Sequence, residues 1–282
     1  MAILVNRNTR VITQGISGKA AQLHTRMCRD YSRGNECFVA AVEPQMAGKE
    51  FDGMPVYGSV REAGQRTGAT VSVIHVEQPL AAAAIEEAVD AGLELVICVT
   101  EGIPAADMGR IAAHMAGRST LLLGPGSHGI ITPGAIKIGS MPGHIFKKGR
   151  VGIVTRSATL GYEAAGELTA LGLGQSSCVA IGDDPGLGLQ PIDVMKLFAA
   201  DPDTDAIIMI GETGGDAEQI CAHWVRENLK KPVVGYIPCG KDDAREKRAI
   251  MEECGIVVAA SAAEMGELLK SVLYEDFSWM IS

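Results

Sequence analysis

The fold is decided by the stretch Arg10-Val11-Ile12-Thr13-Gln14-Gly15-Ile16-Ser17-Gly18-Lys19-Ala20-Ala21. A short strand over 10–14 runs into a glycine turn, and a helix follows. The Gly-x-x-Gly-x-x-Ala order places main-chain N–H groups at the start of that helix, where the dipole and unpaired donors attract phosphate. The turn therefore predicts a diphosphate site, with Lys19 adding positive charge. The alternative is a turn that only packs the strand closely against the helix.

Short apolar runs alternate with segments of helical period on the C-terminal side of this turn, which is typical of strand–helix units and a mainly parallel sheet. The first series predicts strands over 10–14, 38–42, 71–76, 94–99 and 120–123, with helices over 18–31, 59–67, 80–91 and 104–116. The second series predicts strands over 151–155, 176–181, 205–210, 232–237 and 255–258, with helices over 158–170, 190–200, 214–228, 242–254 and 261–273. We therefore expect an α/β protein.

A stretch rich in Gly and Pro separates the two series. Such stretches mark domain boundaries, because few contacts cross them. We expect a nucleotide-binding domain over 1–124, a connector over 125–149 and a second domain over 150–282.

Composition excludes several classes of protein. The net charge of −9 and the pI of about 5.2 argue against binding to nucleic acid, which needs clustered cations. Seven scattered cysteines without a CxxC pair predict reduced core residues and no metal site. The N-terminus turns polar too early for a signal peptide, and no apolar run is long enough to cross a bilayer. We expect a cytoplasmic protein without membrane contact.

Two further positions carry chemistry. Glu43 ends the second predicted strand, where a dinucleotide-binding fold places the acid that accepts the ribose hydroxyls. The alternative is a solvated acid in a loop. Arg156-Ser157-Ala158-Thr159-Leu160 opens a helix after a strand, so its amides and two hydroxyls can stabilise a phosphoryl or carboxylate group. The alternative is an ordinary helix cap.

From Ile3 to about Val272 the chain resembles the α subunit of succinate–CoA ligase. The resemblance rests on many segments that occur in the same order along the chain. These segments are Thr9–Gly18, Gly53–Tyr57, Ser72–His75, Thr100–Pro104, Lys137–Gly139, Met141–Ile145, Gly152–Ser157, Gly174–Ser176 and Ile210–Glu212.

The resemblance implies a Rossmann-like CoA-binding domain followed by a flavodoxin-like ligase domain with mainly parallel sheets. It places on CoA the turn residues Ser17, Gly18, Lys19 and Ala20, together with Val99, Thr100 and Glu101. It makes Tyr162 a substrate-side tyrosine and Glu212 the acid that hydrogen-bonds a phosphorylated histidine. It also implies a hetero-oligomer with an ATP-grasp β subunit, which binds ATP or GTP with Mg, and a small carboxylic acid as substrate.

The chain departs from the family pattern at two places. The family's long glycine-rich loop with its phosphorylated histidine is missing, because Ile237 passes through Pro238 and Cys239 straight to Gly240. The family's threonine and lysine after the second strand are replaced by Glu43 and Met46, so a positive charge is lost and a negative one gained near CoA. Such a site binds the 3′-phosphate of CoA less favourably. Either Lys49 compensates for the lost positive charge, or the ligand is a nucleotide that lacks this phosphate.

His128 is the histidine that stands where the family has another residue, between the domains and close to where the CoA thiol lies by analogy. Histidine is the side chain that most often transfers protons in enzymes. It is a candidate catalytic residue, with a structural loop histidine as the alternative.

The sequence thus favours an acid–thiol ligase subunit that handles the CoA thioester of a small carboxylic acid. Without the loop, ligation needs direct acyl-phosphate formation or a histidine from elsewhere. Two alternatives stay open. One is a diverged paralogue with acyl-transfer, carbamoyl-transfer or lyase chemistry, or with NAD bound through Glu43. The other is a non-catalytic subunit that senses CoA.

Overall fold

A computed structural model of the chain describes residues 3–32, 36–182, 186–238 and 242–278. Those residues form two seven-stranded sheets flanked by helices. Most strand pairs are parallel, and only β3–β4, β8–β9 and β8–β11, whose bounds follow below, run antiparallel. The predicted α/β class with mainly parallel sheets is confirmed.

The first sheet has the strand order β3-β4-β2-β1-β5-β6-β7. Its strands are β1 Val11–Gln14, β2 Phe38–Val42, β3 Glu50–Phe51, β4 Met54–Tyr57, β5 Val71–Ile74, β6 Leu95–Cys98 and β7 Leu121–Leu123. Its helices are α1 Lys19–Tyr31, α2 Val60–Thr67, α3 Gln78–Asp90 and α4 Ala105–Met115. Because β1 lies between β2 and β5, the turn after β1 opens at the centre of the sheet, beside the carboxyl ends of both neighbours.

The second sheet has the strand order β14-β13-β12-β10-β11-β8-β9. Its strands are β8 Gly129–Thr132, β9 Ile136–Gly139, β10 Lys148–Thr155, β11 Gln175–Ala180, β12 Ala206–Ile210, β13 Val233–Tyr236 and β14 Val257–Val258. Its helices are α5 Ala158–Ala170, α6 Pro191–Ala200, α7 Ala217–Asn228, α8 Asp242–Glu253 and α9 Met265–Ser278. The start of α5 follows the central strand β10, which mirrors the place of α1 after β1.

The largest differences between the structure and the predicted elements are two hairpins and the last helix. The hairpins β3–β4 and β8–β9 were not predicted, because their short strands lie in stretches rich in Gly and Pro, which are typical of loops. The last helix begins at Met265 instead of 261, because Ala262–Glu264 form a 3-10 turn first. The stretch 125–149, predicted as a connector, contributes β8 and β9 to the second sheet.

The two sheets are joined at the far end of α1. The Cys28 thiol donates to the Gly139 carbonyl over 3.2 Å, and the Gly134 N–H donates to the Tyr31 hydroxyl over 3.2 Å. One hydrophobic cluster contains residues of both sheets, such as Val73 and Val154. The helix that starts at the glycine turn therefore ends against the second sheet.

The prediction that the cysteines are core residues is confirmed for the six within the described ranges, which are buried and free: Cys28, Cys37, Cys98, Cys178, Cys221 and Cys254. Cys239 lies outside those ranges. Among the helices of the described segments, none has the length and apolar character needed to cross a membrane.

Candidate functional site

The glycine turn is held open by backbone geometry that only glycine adopts without strain. Gly15 has a φ of +84°, and a Cβ at this position would lie 2.9 Å from the Val76 main-chain nitrogen. Gly18 is the N-cap of α1 and provides no side-chain acceptor for the first amides of the helix. Within the described part of the chain, no side chain caps the first N–H donors of α1, which are therefore available to an anion.

A cavity of about 590 Å³ lies in front of this turn, at the carboxyl ends of β1, β2 and β5. Its walls are formed by Gln14, Gly15, Ser17, Gly18, Val42, Glu43, Pro44, Gln45, His75, Val76, Glu77, Leu80, Ala83, Ala84 and Glu87. Ligands of open parallel sheets bind outside the carboxyl ends of the strands, which is where this cavity lies. A larger cavity of about 790 Å³ lies elsewhere, beside Arg10, Arg26 and Asp52. We place the candidate cofactor site in the former, because it includes the turn.

Glu43 reaches from the end of β2 to the turn. Its Oε2 accepts a hydrogen bond from the Ser17 hydroxyl at 2.6 Å and one from the Ser17 N–H at 3.3 Å. Glu43 is only 8% exposed, so the alternative of a solvated loop acid is wrong. The carboxylate thus lies beside the predicted diphosphate site, and its role toward a ribose stays a prediction.

The other predicted cofactor residues fall into two groups. Val99 and Thr100 follow β6 and are half-buried, and the Thr100 hydroxyl donates to the Val76 carbonyl over 2.6 Å next to the turn. Lys19, Ala20 and Glu101 are exposed, the first two at the start of α1. Met46 packs against the hydrophobic core and does not line the cavity.

A pair of stacked histidines lies behind the cavity. The rings of His75, which lines the cavity, and His24 on α1 are 5.9 Å apart and inclined by 12°. Burial, with His24 and Lys137 nearby, lowers the pKa of His75 to about 4. Burial lowers the pKa of His24 as well, with Lys137 and His128 adding to the effect. Both rings are therefore neutral at physiological pH.

Lys137 is 1% exposed, and its ammonium donates to the Gly139 carbonyl at 3.0 Å and to the Cys28 sulfur at 3.2 Å. The Nδ1 atom of His24 is buried and has no hydrogen-bond partner among the described residues. A line of polar side chains thus leads from the cavity toward the second sheet.

His128 continues this line. Its Nδ1 lies 3.0 Å from the Ser140 hydroxyl, and its ring meets the Tyr162 ring edge-on at 6.4 Å. Burial raises the pKa of Tyr162, and the Ser140 hydroxyl partly offsets this effect. Two of the predicted catalytic residues are therefore neighbours at the junction of the two sheets, where Tyr162 belongs to α5.

The start of α5 forms a second uncapped helix N-terminus. Ser157 is its N-cap and makes no side-chain cap bond. Its N–H donates to Thr155 Oγ1 at 3.0 Å, and its carbonyl accepts from the same hydroxyl at 2.6 Å. Ala158 and Thr159 form the first turn, and the Thr159 hydroxyl is 3.5 Å from the Ser157 hydroxyl. The amides of this turn can bind a phosphoryl or carboxylate group.

Glu212 is held by a buried ionic network. Its N–H donates to Glu218 Oε1 at 3.1 Å, and Glu218, which is fully buried, also accepts from Arg156 at 3.2 Å and from Lys247 at 2.5 Å. Lys247 donates in addition to the carbonyls of Glu212 and Gly214. The Arg156 N–H donates to the Ile210 carbonyl at 3.0 Å, which brings the start of α5 next to the Glu212 segment.

Known proteins share this architecture. Residues 6–102 match the family described as CoA binding domain, and residues 154–272 match the one described as CoA-ligase. The succinate–CoA ligase [ADP-forming] subunit alpha of Aquifex aeolicus is 45% identical over 97% of this chain and 95% of its own length. The chain belongs to the succinate–CoA ligase α-subunit family. The corresponding subunit of Staphylococcus epidermidis is 44% identical over 98% of both chains.

Solved structures show the same fold as this α-type subunit. ATP citrate lyase from Methanothrix soehngenii, in complex with citrate and coenzyme A, superimposes with a TM-score of 0.86 at 23% identity over 98% of this chain. The dinucleotide-forming acetyl-coenzyme A synthetase 1 of Ca. Korarchaeum cryptofilum superimposes with a TM-score of 0.75 at 20% identity over 94% of this chain. The chain spans 51% and 61% of those two solved chains. By family, this subunit is of the CoA-ligase type and binds CoA.

Sequence reasoning missed two groups in this α-type subunit: the stacked pair with Lys137, and the Glu218 network. Arg156 and Glu218 are 62 positions apart in the chain, so no local pattern joins them. For the Glu218 network, the sequence does contain one signal: a charged residue lies on an otherwise apolar helical face, Glu218 on α7 and Lys247 on α8. A charge at such a position indicates a buried ion pair.

Proposed function

We propose that this chain is the CoA-handling subunit of an acid–thiol ligase that forms or uses the thioester of a small carboxylic acid. The observation that carries the proposal is the uncapped start of α1, which opens onto a cavity at the carboxyl ends of β1, β2 and β5. The family membership supports it, because the Aquifex and Staphylococcus relatives are named succinate–CoA ligases.

The residues at the turn fit the diphosphate of CoA. The main-chain amides after Gly18 point out of the helix start, and Lys19 is exposed on the first turn of α1. Thr100 and Val99 follow β6. The Thr100 hydroxyl donates to the Val76 carbonyl beside the turn, and the Val99 N–H donates to the Ile74 carbonyl at the end of β5. CoA supplies the thiol that carries the acyl group, while these residues bind and orient the nucleotide part.

The acyl side of the proposed site lies at the start of α5. We assign binding of a phosphoryl or carboxylate group to the amides and hydroxyls of Ser157, Ala158 and Thr159. Glu212 is positioned beside them by Glu218 and Lys247. His128, bonded to Ser140 and in contact with Tyr162, is the proposed proton-transfer group.

The proposal includes an ATP-grasp partner that binds ATP or GTP with Mg, in a hetero-oligomer. The connection from β13 to α8 comprises residues 237–241, of which 239–241 lie outside the described segments. So short a connection provides no histidine of its own. We therefore propose acyl activation without a relay histidine on this segment. If the copurified partner and labelled nucleotide leave phosphate on this chain, that part of the proposal is wrong.

The CoA site is tested with Gly18→Ala. A Cβ at this position would lie 3.6 Å from the Gly15 carbonyl oxygen and 3.9 Å from Ala21 Cβ, so the folded chain has room for it. A diphosphate that approaches the turn closely has no such room. We expect a loss of CoA affinity of about tenfold or more in titration calorimetry, equal to about 1.4 kcal/mol. The melting temperature of the free protein should change by only about 1 °C.

The matched control is Gly166→Ala on α5, where nothing lies within 4 Å of the added methyl group. CoA affinity should stay unchanged in this variant. Equal CoA affinity in Gly18→Ala and the unaltered chain would show that CoA does not use the turn. Thermal shifts give a second readout, since a ligand at a hundred times its Kd stabilises the fold by about 2.7 kcal/mol.

A further inference from the structure

Glu43 occupies donors that a phosphate would otherwise use, and it keeps one oxygen free for a ligand. Both bonds from Ser17 end on Oε2, at 2.6 and 3.3 Å. Among the described residues no donor lies within hydrogen-bond distance of Oε1. A carboxylate accepts about four hydrogen bonds and donates none, so Glu43 has remaining capacity only for donors.

The charges around the cavity also favour hydrogen-bond donors over anionic groups of a ligand. Three carboxylates line it, those of Glu43, Glu77 and Glu87, and no lysine or arginine lines it in the part of the chain that the structure describes. The Glu87 carboxylate accepts from the Val60 N–H at 2.8 Å, which provides no compensating charge. Lys49 is exposed on the approach to β3 and does not line the cavity. The cavity is therefore acidic.

The place of Glu43 defines which part of a nucleotide it meets. It ends β2, which pairs directly with β1, the strand before the turn. When a diphosphate binds at such a turn, the adenosine ribose lies against the end of the neighbouring strand. A ribose with free 2′ and 3′ hydroxyls donates hydrogen bonds to a carboxylate there. A 3′-phosphate, with a charge of about −2, can only accept and is repelled.

We propose that Glu43 makes this site select ligands that contain ADP with an unphosphorylated ribose, so that dephospho-CoA binds more tightly than CoA. The inference rests on the proposed function, because it requires the diphosphate to bind at the Gly15–Ala20 turn. It assigns Glu43 as the specificity-determining residue of that site.

Titration calorimetry on the full chain tests the ranking, with CoA, dephospho-CoA, NAD⁺ and ADP-ribose as the four ligands. We expect dephospho-CoA to bind roughly tenfold more tightly than CoA. NAD⁺ and ADP-ribose show whether the pantetheine arm is needed as well: weaker binding of both than of dephospho-CoA assigns the site to the CoA class. If instead NAD⁺ binds as tightly as dephospho-CoA, the ADP part alone supplies the recognition. Both ligands have a free adenosine ribose, so the selection itself is decided by the affinity of dephospho-CoA against that of CoA.

The variant Glu43→Gln keeps the shape of the side chain and removes its charge. We expect its CoA affinity to rise by about tenfold and its affinity for dephospho-CoA to change by less than about threefold. Glu77→Gln is the matched control, because it removes a negative charge from the same cavity without touching the turn. Its two affinities should stay within about threefold of those of the unaltered chain.

Different outcomes contradict the role of Glu43 and the proposed CoA site. CoA binding as tightly as dephospho-CoA in the unaltered chain overturns the role of Glu43 and leaves the CoA site in place. The same holds if Glu43→Gln folds, by its melting temperature, and fails to gain CoA affinity. Absence of binding by all four ligands overturns the proposed site itself.

Discussion

Among the described histidines, His75 is the one whose protonation the fold opposes most. Its pKa is lowered from the ordinary value of 6.5 to about 4, because the ring is buried against His24 and near Lys137. The unfolded chain therefore binds a proton between these two pH values that the folded chain does not. Stability is complete above about pH 6.5 and falls as the pH drops toward 4, by up to about 3 kcal/mol from this residue.

This pH dependence is measured by urea unfolding of His75→Phe and the unaltered chain at about pH 7 and about pH 5. The variant should lose less stability on acidification, because its ring cannot be protonated. His144→Gln, which removes an exposed histidine, is the control and should follow the unaltered chain. An equal loss of stability in His75→Phe and the unaltered chain would contradict the prediction.

The candidate site was predictable from the sequence where its chemistry is local. Gly15, Ser17 and Gly18 are adjacent in the chain, and Glu43 follows a strand whose end is readable from the apolar run before it. The His24–His75 stack was not predictable, because it depends on how α1 packs beside β5. The ion pairs of Arg156 and Lys247 with Glu218 were not predictable either, because they join the start of α5, helix α8 and helix α7, which are far apart in the sequence.

At the scale of elements, the alternation of apolar strands and amphipathic helices predicted most element boundaries to within about three residues. For example, α1 was expected over 18–31 and extends over Lys19–Tyr31. The hairpin β8–β9 was not predicted, although its open end brings His128, just before β8, to within 3.0 Å of the Ser140 hydroxyl, just after β9. Its strands have four residues each, and glycines that read as a linker form its ends.

Gly129 on β8 shows why this hairpin needs glycine. It pairs with Gly139 on β9 at a φ of +99°, and a Cβ there would lie 1.9 Å from the Ile138 carbonyl oxygen. We expect Gly129→Ala to lower the free energy of unfolding by about 4 kcal/mol or more, because both the backbone and the pairing must shift. Gly166→Ala is the control, since an unhindered helical glycine gains about 0.5–1 kcal/mol on substitution.

Denaturant unfolding with comparable m-values measures both changes. A Gly129→Ala protein as stable as the unaltered chain would mean that the β8–β9 pairing is not as tight as the structure describes. If the free energy of unfolding rises in Gly166→Ala and falls in Gly129→Ala, the requirement for glycine is specific to the hairpin.

At the scale of the whole molecule, the two sheets share one core. The Thr132 hydroxyl donates to the Val5 carbonyl at 3.2 Å, and the Leu189 N–H donates to the Leu122 carbonyl at 2.7 Å. The hydrophobic cluster that includes Val73 and Ile97 of the first sheet also includes Val154 and Val179 of the second. The boundary predicted at 124 and 150 remains a prediction, but the packing across it is that of one continuous core.

We therefore expect one cooperative thermal transition for the whole chain, with equal calorimetric and van't Hoff enthalpies. Since CoA binds the first sheet by the proposed function, adding it is an internal control: the entire heat-capacity peak should move to higher temperature. Two peaks, of which CoA moves only one, would contradict this expectation. A single peak that CoA moves as a whole would mean that ligand binding at the α1 turn stabilises both sheets, because they unfold together through the contacts that join them.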